Sequence, residues 1–541
     1  MESALDSRAR QNRKAMNIAS QKPQQAGAIE QFDAEAVNAA GIRQPLYAPR
    51  KKIFPKRASG SFRQFKWLVM AITLGIYYLT PWLRWDRGPY APDQAVLIDL
   101  ANRRCYFFFI EIWPQEFFLV AGLLVMAGIG LFLVTSTVGR AWCGYTCPQT
   151  VWVDLFLVVE RGIEGDRNAR MKLDSGPWTA SKVVKRVAKH ASWLLIAVAT
   201  GGAWIFYFAD APTLFVDLFQ GEAASVAYIT VAVLTATTYT FGGLMREQVC
   251  IYMCPWPRIQ AAMLDENSLT VTYNDWRGEP RTRGAKKAAA AGLAVGDCVD
   301  CNACVVVCPM GIDIRDGQQL ECITCALCID ACDGVMDKLG RDRGLISYAT
   351  LSDYNANMAA ATGGGAHAID PGLVRNSYGK LSDKLAHFHV AKLFRPRTFI
   401  YFGVWSLMGA LLMVGLFTRD KLEINVLRDR NPQYVVLSDG AIRNGYTVKL
   451  LNKIPEPRVV TLTLEDLPGA AMVAIGVDQA EGRVLELEVE PDRLRTLKVF
   501  VRLPAEQVEA GDQTFRFVVE DTTSHERNDY RATFTAPEPA R

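Results

Sequence analysis

Five stretches of the chain are almost uncharged and long enough to cross a bilayer as helices. A bilayer core requires about 20 mostly apolar residues in helical form. A buried core helix is the alternative for any one of them, but five such stretches of this length favour a membrane. We therefore predict membrane-spanning helices at residues 65–83, 115–138, 191–209, 223–244 and 398–417.

The chain after residue 417 has a different pattern, in which apolar and polar residues alternate. The run from Leu485 to Glu490 alternates strictly, and similar runs begin near Tyr446, Val460 and Phe515. Alternation over short segments separated by turn signals is typical of antiparallel strands with one buried face. The pattern predicts a C-terminal β-sandwich over residues 419–541.

The composition agrees with a protein that lies partly in lipid. Half of the 541 residues are hydrophobic, 21% are charged, and the mean hydropathy is +0.06. The 60 Lys and Arg residues against 56 Asp and Glu residues give a net charge of +4, which is too balanced for a nucleic-acid-binding protein. The composition therefore excludes a simple soluble domain. It predicts that the chain contacts the lipid bilayer and that nucleic acid is not a partner.

Basic residues are distributed unevenly around the predicted spans. Eight Lys or Arg residues and no acid lie between Arg43 and Lys66, and nine more follow the second span. The connection after the third span carries acids and no base. Because Lys and Arg accumulate on the cytoplasmic side, we predict a cytoplasmic N-terminus, cytoplasmic residues 245–397 and a periplasmic C-terminal domain. Residues 1–40 are polar and indicate no secretory signal peptide.

Eight of the 13 cysteines lie between residues 298 and 332. The first four form a C-x₂-C-x₂-C-x₃-C-P run that ends at Pro309, and a similar run follows. Three thiolates at this spacing bind one [4Fe–4S] cluster, while the fourth reaches the other cluster. This rule predicts two clusters, one held by Cys298, Cys301, Cys304 and Cys332 and the other by Cys308, Cys322, Cys325 and Cys328.

Two zinc sites are the alternative, since four cysteines also suit tetrahedral zinc. Zinc ribbons seldom use this cysteine spacing, so the spacing favours iron–sulfur clusters. Asp333 stands where the first run has Pro309, which removes a turn-fixing ring but no ligand. The chemistry indicated is one-electron transfer on the reducing, cytoplasmic side of the membrane.

A C-x₃-C-P motif occurs twice, each time after a predicted span. Its cysteines are Cys143 and Cys147 in the first copy and Cys250 and Cys254 in the second. On a helix, this i, i+4 spacing would place both sulfurs on one face. The repetition favours a thiol centre that binds a soft metal such as Cu(I) or relays electrons. The alternative is that these cysteines are small apolar fillers at packed helix ends, as we expect for the isolated Cys105.

The five histidines limit the possible cofactors. A membrane haem b requires paired axial histidines within spans, whereas His190 only adjoins a predicted span. This excludes a membrane cytochrome b. His387 and His389 have a metal-like spacing, but they precede the fifth span in a stretch expected to be helical, and we interpret them as structural or interfacial. The sequence contains no nucleotide-binding glycine motif.

The order of these features resembles the cytochrome c oxidase accessory protein family, known as CcoG, FixG or RdxA. The shared features are a basic N-terminus, four spans with two C-x₃-C-P motifs, a two-cluster ferredoxin, a fifth span and a β-rich tail. The four-span core also resembles the quinol-oxidising NapH and NosR proteins. The fifth span and the β-sandwich favour the first family, and no NosR-like flavin-attachment motif occurs.

The resemblance implies a copper-reducing assembly factor of the bacterial cytoplasmic membrane. Such a cupric reductase would convert cytosolic Cu(II) to Cu(I) for a cbb-type cytochrome c oxidase. The expected partners are a copper-exporting P-type ATPase and oxidase assembly components, with a homo-oligomer possible. The resemblance implies that Cys143, Cys147, Cys250 and Cys254 are the copper or redox thiols. The alternative function is a quinol-oxidising relay subunit, as in NapH and NosR.

The fold class predicted is therefore a multidomain membrane protein. It combines an α-helical bundle of five transmembrane helices, a bacterial-type two-[4Fe–4S] ferredoxin domain and an immunoglobulin-like β-sandwich. We expect a basic segment at 1–64, a four-helix core at 65–264, the ferredoxin domain at 265–345, a linker at 346–397, the fifth helix at 398–418 and the sandwich at 419–541.

Overall fold

The structure is a computed structural model of the full chain. It divides into two compact units. The first comprises the described residues up to Leu79 together with Leu123–Ile205 and Leu218–Gly409, and the second comprises Thr80–Gly122, Phe206–Asp217 and the chain from Ala410. The residues it describes are 30–37, 51–363, 369–370, 372–375, 380–382, 385–454, 456–491, 493–509 and 511–537. Much of the predicted segment 1–64, the glycines after Gly363, and His367 lie outside the described residues.

The described helices occur mainly before residue 418. Two segments, Tyr239–Met245 and Val249–Met253, are π-helical. The α-helices are α1 (Ser61–Leu79), α2 (Phe117–Val138), α3 (Ala141–Tyr145), α4 (Pro148–Glu164), α5 (Arg167–Ser175), α6 (Ala180–Ile205), α7 (Ala211–Gln220), α8 (Ser225–Thr238), α9 (Trp256–Met263), α10 (Asp275–Gly278), α11 (Ala285–Ala290), α12 (Ala303–Val307), α13 (Leu327–Leu339), α14 (Leu351–Ala361) and α15 (Pro396–Phe417).

Three helical segments among the described residues are long and apolar enough to cross a membrane. They are Pro114–Val138, Ser225–Met245 and Pro396–Phe417, and they correspond to the second, fourth and fifth predicted spans. The first and third predicted spans are also helical, in α1 and α6. Both helices begin with polar and basic residues, so the apolar part of each is shorter, and the structure does not establish five spans.

The dicluster region of the first unit is built on a small hydrophobic core. Strand β4 (Thr270–Tyr273) pairs antiparallel with β5 (Ile346–Ala349), and the cysteine runs lie between these strands in sequence. Helices α12 and α13 pack beside this ribbon and bury Val305, Val306 and Met336. The two cysteine runs are therefore held by one shared core.

The second unit contains the predicted β-sandwich, which the structure confirms. One sheet has the strand order β10-β12-β8-β6 with β7 also pairing with β8, and the other has the order β11-β9-β13-β14. Tyr446 packs against Phe515 and Phe517 in the core, with ring centroids 5.6 and 5.3 Å away. The strands are β6 (Leu422–Arg428), β7 (Val435–Val436), β8 (Ile442–Asn452), β9 (Arg458–Glu465), β10 (Ala471–Ala474), β11 (Val484–Val489), β12 (Leu494–Leu503), β13 (Gly511–Asp521) and β14 (Arg527–Ala536).

The same unit has a small antiparallel sheet in the loop after α1. Its strands are β1 (Val96–Asp99), β2 (Arg104–Phe107) and β3 (Ile110–Ile112). Cys105 lies in β2 opposite Ile98 and Ile112, where it is half-buried. This position fits a packing role for Cys105.

Candidate metal centres

The first predicted quartet of cysteines lines one cavity in the dicluster region. Two of its members come from the loop that leads into α12, the third lies in α12 itself, and the fourth comes from α13. Tyr273 and Arg315 line the same cavity. The structure thus brings together Cys298, Cys301, Cys304 and Cys332.

The second predicted quartet lines a neighbouring cavity, to which Cys304 also contributes. Apart from cysteines, this cavity is lined by Val, Met, Ile, Ala and Leu side chains. The members of this quartet are Cys308, Cys322, Cys325 and Cys328. In each cavity the fourth cysteine comes from the other run, and the role of all eight as cluster ligands stays a prediction.

The two cysteine loops share an unusual backbone conformation. Asp300 and Asn302 in the first loop have positive φ angles of 51° and 59°, and Thr324 and Ala326 have 58° and 59° at the equivalent places in the second. Non-glycine residues seldom adopt this conformation, and strained backbone of this kind is concentrated at ligand sites. The repetition indicates that both loops curl around a bound group of similar shape. Only Asp300 and Asn302 could have suggested it from sequence, because Asp and Asn tolerate positive φ.

The buried thiols require a strongly cationic ligand to ionise. Burial, followed by repulsion from Cys325, raises the pKa of Cys308 to about 12. Burial also raises the pKa of Cys322 to about 11, despite a hydrogen bond from the Thr324 backbone that lowers it. A metal centre offsets this penalty, because a coordinating thiol is deprotonated outright. The donor set therefore fits an iron–sulfur cluster.

One zinc ion and an iron–sulfur cluster make different demands on four thiolates. Four thiolates bind one zinc ion at about 2.3 Å and must crowd around it. Among the described residues, no group of three or more His, Cys, Asp or Glu side chains is close enough together to hold one metal ion. Cluster thiolates instead bind separate iron atoms around a larger body. The C-x₂-C-x₂-C-x₃-C spacing in the sequence is what favours clusters over the zinc alternative.

Arg315 makes the two cavities electrostatically different. Its guanidinium donates hydrogen bonds to Asp313, to Asp300 at 2.8 Å and to Asn302 at 2.7 Å, and its side chain is almost completely buried. The first cavity therefore contains a buried cation, whereas the lining of the second is apolar apart from its cysteines. This asymmetry is not visible in the spacing of the cysteines.

The C-x₃-C-P cysteines lie at helix ends rather than on one continuous helix face. Cys143 is in α3, which ends at Tyr145, and Cys147 precedes α4, which begins at Pro148. Cys250 is in the second π-helix, and Cys254 follows that helix. The expectation that each pair shares a helix face is therefore wrong. The proline after each pair ends the first helix and permits a change of direction.

The four thiols nevertheless converge on one place. Burial, followed by repulsion from Cys147, Cys143 and Cys254, raises the pKa of Cys250 to about 12. Cys143 is buried and donates a hydrogen bond of 3.0 Å to Oε1 of Gln260. The two motifs, which are separated by about 100 residues in sequence, thus bring four cysteines into one neighbourhood, which we call the thiol centre.

Gln149 connects the two motifs directly. Its Nε2 donates to the carbonyl oxygens of Phe241 at 2.9 Å and Arg246 at 3.1 Å. Gln149 lies two residues after Cys147, and Arg246 lies four residues before Cys250. The side chain therefore fixes one motif against the other. No sequence pattern identified this contact.

The thiol centre adjoins the loop of the second cluster quartet. A Cβ atom on Gly144 would lie 2.7 Å from the Ile323 carbonyl oxygen and 3.0 Å from the Cys325 Cα. The Tyr145 hydroxyl donates to the Cys325 carbonyl at 3.3 Å, and Arg140 donates to the Leu320 carbonyl. The segment that carries Cys143 is thus in van der Waals contact with the loop that carries Cys325.

Other residues considered in the sequence lie elsewhere. His190 forms a hydrogen bond of 2.8 Å with Tyr239. His387 and His389 are exposed and precede the short 3₁₀-helix Val390–Leu393, so the helix expected around them is absent from these described residues. Asp333 accepts a hydrogen bond of 2.9 Å from the Gly344 backbone and so has its own structural role.

Comparisons with known proteins place the chain among characterised relatives. It is 70% identical over 516 residues to the nitrogen fixation protein FixG of Rhizobium meliloti, covering 95% of this chain and 98% of that protein. The chain belongs to the FixG family. The RdxB and RdxA proteins of Cereibacter sphaeroides are 53% and 51% identical to it, over 89% and 86% of this chain and 95% and 92% of theirs.

Three family models match separate parts of this FixG-family chain. Residues 245–351 match a 4Fe–4S dicluster domain, residues 119–163 match a 4Fe–4S binding domain, and residues 412–537 match the Ig-like fold at the C-terminus of FixG. Together with the apolar helices, these matches show a FixG-type membrane protein of iron–sulfur electron transfer with a C-terminal Ig-like domain. The resemblance seen in the sequence is confirmed.

Proposed function

We propose that this FixG-family protein is a cupric reductase that uses its thiol centre as the copper site. The observation that carries the proposal is the contact of Gly144 with the loop of Cys325, which brings the C-x₃-C-P thiols beside the dicluster domain. Soft thiolates favour Cu(I) over hard cations. A site that prefers the reduced ion promotes reduction of the oxidised ion bound there.

The residues divide this task between two places. The eight cysteines of the dicluster region would hold two [4Fe–4S] clusters, which when bound supply one-electron transfer. Cys143, Cys147, Cys250 and Cys254 would bind copper, and Gln149 would hold the two pairs in register. Each turnover would take one electron from the dicluster domain for each Cu(II) reduced to Cu(I).

The layout of the chain in the membrane belongs to the same proposal. We propose that α1 and α6 cross the bilayer together with the three more apolar helices, which gives five spans of the bacterial inner membrane. The basic residues around the spans favour a cytoplasmic N-terminus and dicluster domain and a periplasmic Ig-like domain. The domain limits are those predicted from the sequence, from the basic segment at 1–64 to the sandwich at 419–541.

The Cu(I) product indicates which proteins would receive it. Cu(I) made at the cytoplasmic face would be passed to a copper-exporting P-type ATPase for assembly of a cbb-type cytochrome c oxidase. The periplasmic Ig-like domain would serve as a docking module for assembly components or for a second copy of the chain.

A double substitution tests the copper site. In the Cys143→Ser/Cys250→Ser protein, reduced anaerobically, we expect cluster oxidation by Cu(II) to be lost while the electron paramagnetic resonance signals of the dicluster domain persist. Cys105→Ser is the matched control, because it removes a thiol outside the centre. Normal copper reduction by the double variant would refute the proposal. Cluster reduction by quinol, with no response to Cu(II), would favour the relay function.

A second candidate for the thiol centre follows from one comparison. The match to a 4Fe–4S binding domain at residues 119–163 includes Cys143 and Cys147. The four thiols would then hold a further iron–sulfur cluster and extend the electron path. Iron analysis separates a copper site from a further cluster at the thiol centre. Two [4Fe–4S] clusters give eight irons per chain, whereas three clusters give twelve. Twelve irons, falling to eight in the double variant, would replace copper with a cluster at this site.

A further inference from the structure

The first unit contains a large cavity apart from the cysteine sites. Its volume is about 990 Å³, and it is lined by the segment around Lys52, by α4 to α6 and by the first π-helix. Tyr239, Gly243 and Leu244 form one wall, and they belong to the last turns of the membrane-crossing segment Ser225–Met245. With this segment across the bilayer, the cavity would lie at the level where the segment leaves it.

The polar side of the cavity carries an excess of positive charge. Among the residues that the structure describes, two carboxylates line it, Glu160 and Asp174, against five cations. Adding the adjacent Arg170 and Glu164 gives six cations and three carboxylates, so the excess is three in either count. The five cations of the lining are Lys52, Lys182, Arg186, Lys189 and Arg246.

The carboxylates hold these cations in place without neutralising them. Asp174 accepts from both Arg186 at 2.6 Å and Lys52 at 3.0 Å. Glu160 lies 2.9 Å from Arg246 and 3.7 Å from Lys189. Each carboxylate is thus shared between cations, which arranges several N–H donors around one space and leaves net positive charge for an anion.

Another part of the cavity lining is apolar and exposed. Val183, Val187, Leu194 and Leu244 line it and are 45%, 62%, 49% and 45% exposed. Trp178 at the rim is 76% exposed, and the Lys182 ammonium lies 5.0 Å from its ring. Exposed Trp beside Lys is typical of the membrane–water interface. Acyl chains could cover this wall.

We propose that the cavity binds the phosphate headgroup of an anionic phospholipid, with the acyl chains along the Val187 and Leu194 wall. Basic pockets between helices at the membrane surface recognise such headgroups. The excess of three positive charges favours an anion over an uncharged amphiphile such as a quinol. The proposal rests on the membrane location of these helices and is independent of copper reduction.

Native mass spectrometry of the full-length protein tests this assignment. We expect protein extracted in mild detergent to retain phosphatidylglycerol in preference to phosphatidylcholine when both are offered in mixed micelles. In Lys52→Gln/Arg186→Gln, retention of phosphatidylglycerol should fall by roughly fivefold for each charge removed. Lys172→Gln/Lys185→Gln is the matched control, because it removes two charges of the same region that do not line the cavity.

Three results of the lipid experiments would overturn the proposal. These are equal retention of the two lipids, an equal loss of phosphatidylglycerol in the control variant, and displacement of the lipid by a quinol at similar concentration. Lys52→Gln alone serves as a second variant, because its side chain is 64% exposed and its removal leaves the buried ion pairs intact. Free glycerol phosphate tests whether the anion comes from a lipid. If it bound as tightly as phosphatidylglycerol, the cavity would not be a lipid site.

Discussion

Gly144 lies against Cys325 so closely that no larger residue fits between them. A Cβ atom at position 144 would approach the Cys325 Cα to 3.0 Å and the Ile323 carbonyl oxygen to 2.7 Å. Both neighbours are backbone atoms and cannot rotate away. The contact therefore fixes the distance between the thiol centre and the loop of the second cluster quartet.

Gly144→Ala should separate these two parts. We expect a loss of about 1–3 kcal/mol in stability from overpacking and a slower oxidation of the reduced clusters by Cu(II) in stopped-flow measurements. Gly162→Ala is the control, because Gly162 in α4 has open space where a Cβ would lie. An unchanged oxidation rate in Gly144→Ala would show that electrons reach copper by another route.

Arg315 should set the reduction potential of the first quartet's cluster. A buried cation stabilises the reduced, more negative state, so Arg315→Met should lower this potential. We expect a fall on the order of 60 mV, the one-electron equivalent of a tenfold change. Redox titration followed by electron paramagnetic resonance measures it.

Two variants make the Arg315 result specific. Arg315→Lys keeps the charge and should recover most of the potential. Arg283→Met removes a more exposed partner of Asp300, at 3.0 Å, and should change the potential little. Equal potentials in all three variants would mean that the asymmetry of the two cavities has no electrostatic effect.

The parts of the fold that depend on periodicity were predictable. Strict alternation such as Leu485 to Glu490 places alternate residues in a core, and the structure buries Leu485, Leu487 and Val489. The spacing of the cysteine runs likewise predicted which fourth cysteine lines which cavity. These features depend on neighbours in sequence, which a pattern can reveal.

The rest depends on contacts between distant residues. Arg63 and Lys66 reduce the hydropathy of α1, yet both are buried, and Arg63 lies 2.7 Å from Asp154 in α4. A hydropathy scale scores such a cation as if it were exposed to water. It cannot include the ion-pair partner, which comes from another helix. The convergence of the four C-x₃-C-P thiols has the same character, because it requires the prolines to redirect the chain.

Gln149→Leu should loosen the thiol centre. It removes both hydrogen bonds to the carbonyls of Phe241 and Arg246, each of which keeps one backbone donor. We expect a loss of about 1–3 kcal/mol, because each hydrogen bond contributes roughly 0.5–1.5 kcal/mol. Cys250, which is partly buried, should then react faster with a maleimide, as followed by mass spectrometry. Gln248→Leu in the same region is the control. Unchanged labelling of Cys250 would show that Gln149 does not hold the motifs together.

The Ig-like domain should lose stability in acid through Arg458. This guanidinium in β9 lies 2.9 Å from Glu526 and 3.3 Å from Asp521. Burial alone would raise the pKa of Glu526, but the hydrogen bonds from Arg458 and from the Lys421 and Leu422 backbones lower it below its ordinary 4.5. The stabilisation is therefore complete above that value and is lost as the pH falls towards the lowered pKa.

Arg458→Met tests this linkage in the intact protein. We expect a loss of about 2 kcal/mol at pH 7, since Glu526 loses a charged hydrogen-bond partner and Asp521 loses an ion-pair partner. The acid dependence should also weaken, because the pKa values of both carboxylates are lowered less. Hydrogen exchange of β9 and β13 between pH 3 and 7 measures both effects. Arg493→Met removes an ion pair in which the side chains are 72% and 64% exposed, and it should change stability by less than about 1 kcal/mol. If Arg458→Met kept the acid sensitivity of the wild-type domain, carboxylates other than Glu526 and Asp521 would be responsible. Arg458 lowers the pKa of these two, so its removal must weaken any acid dependence that comes from them.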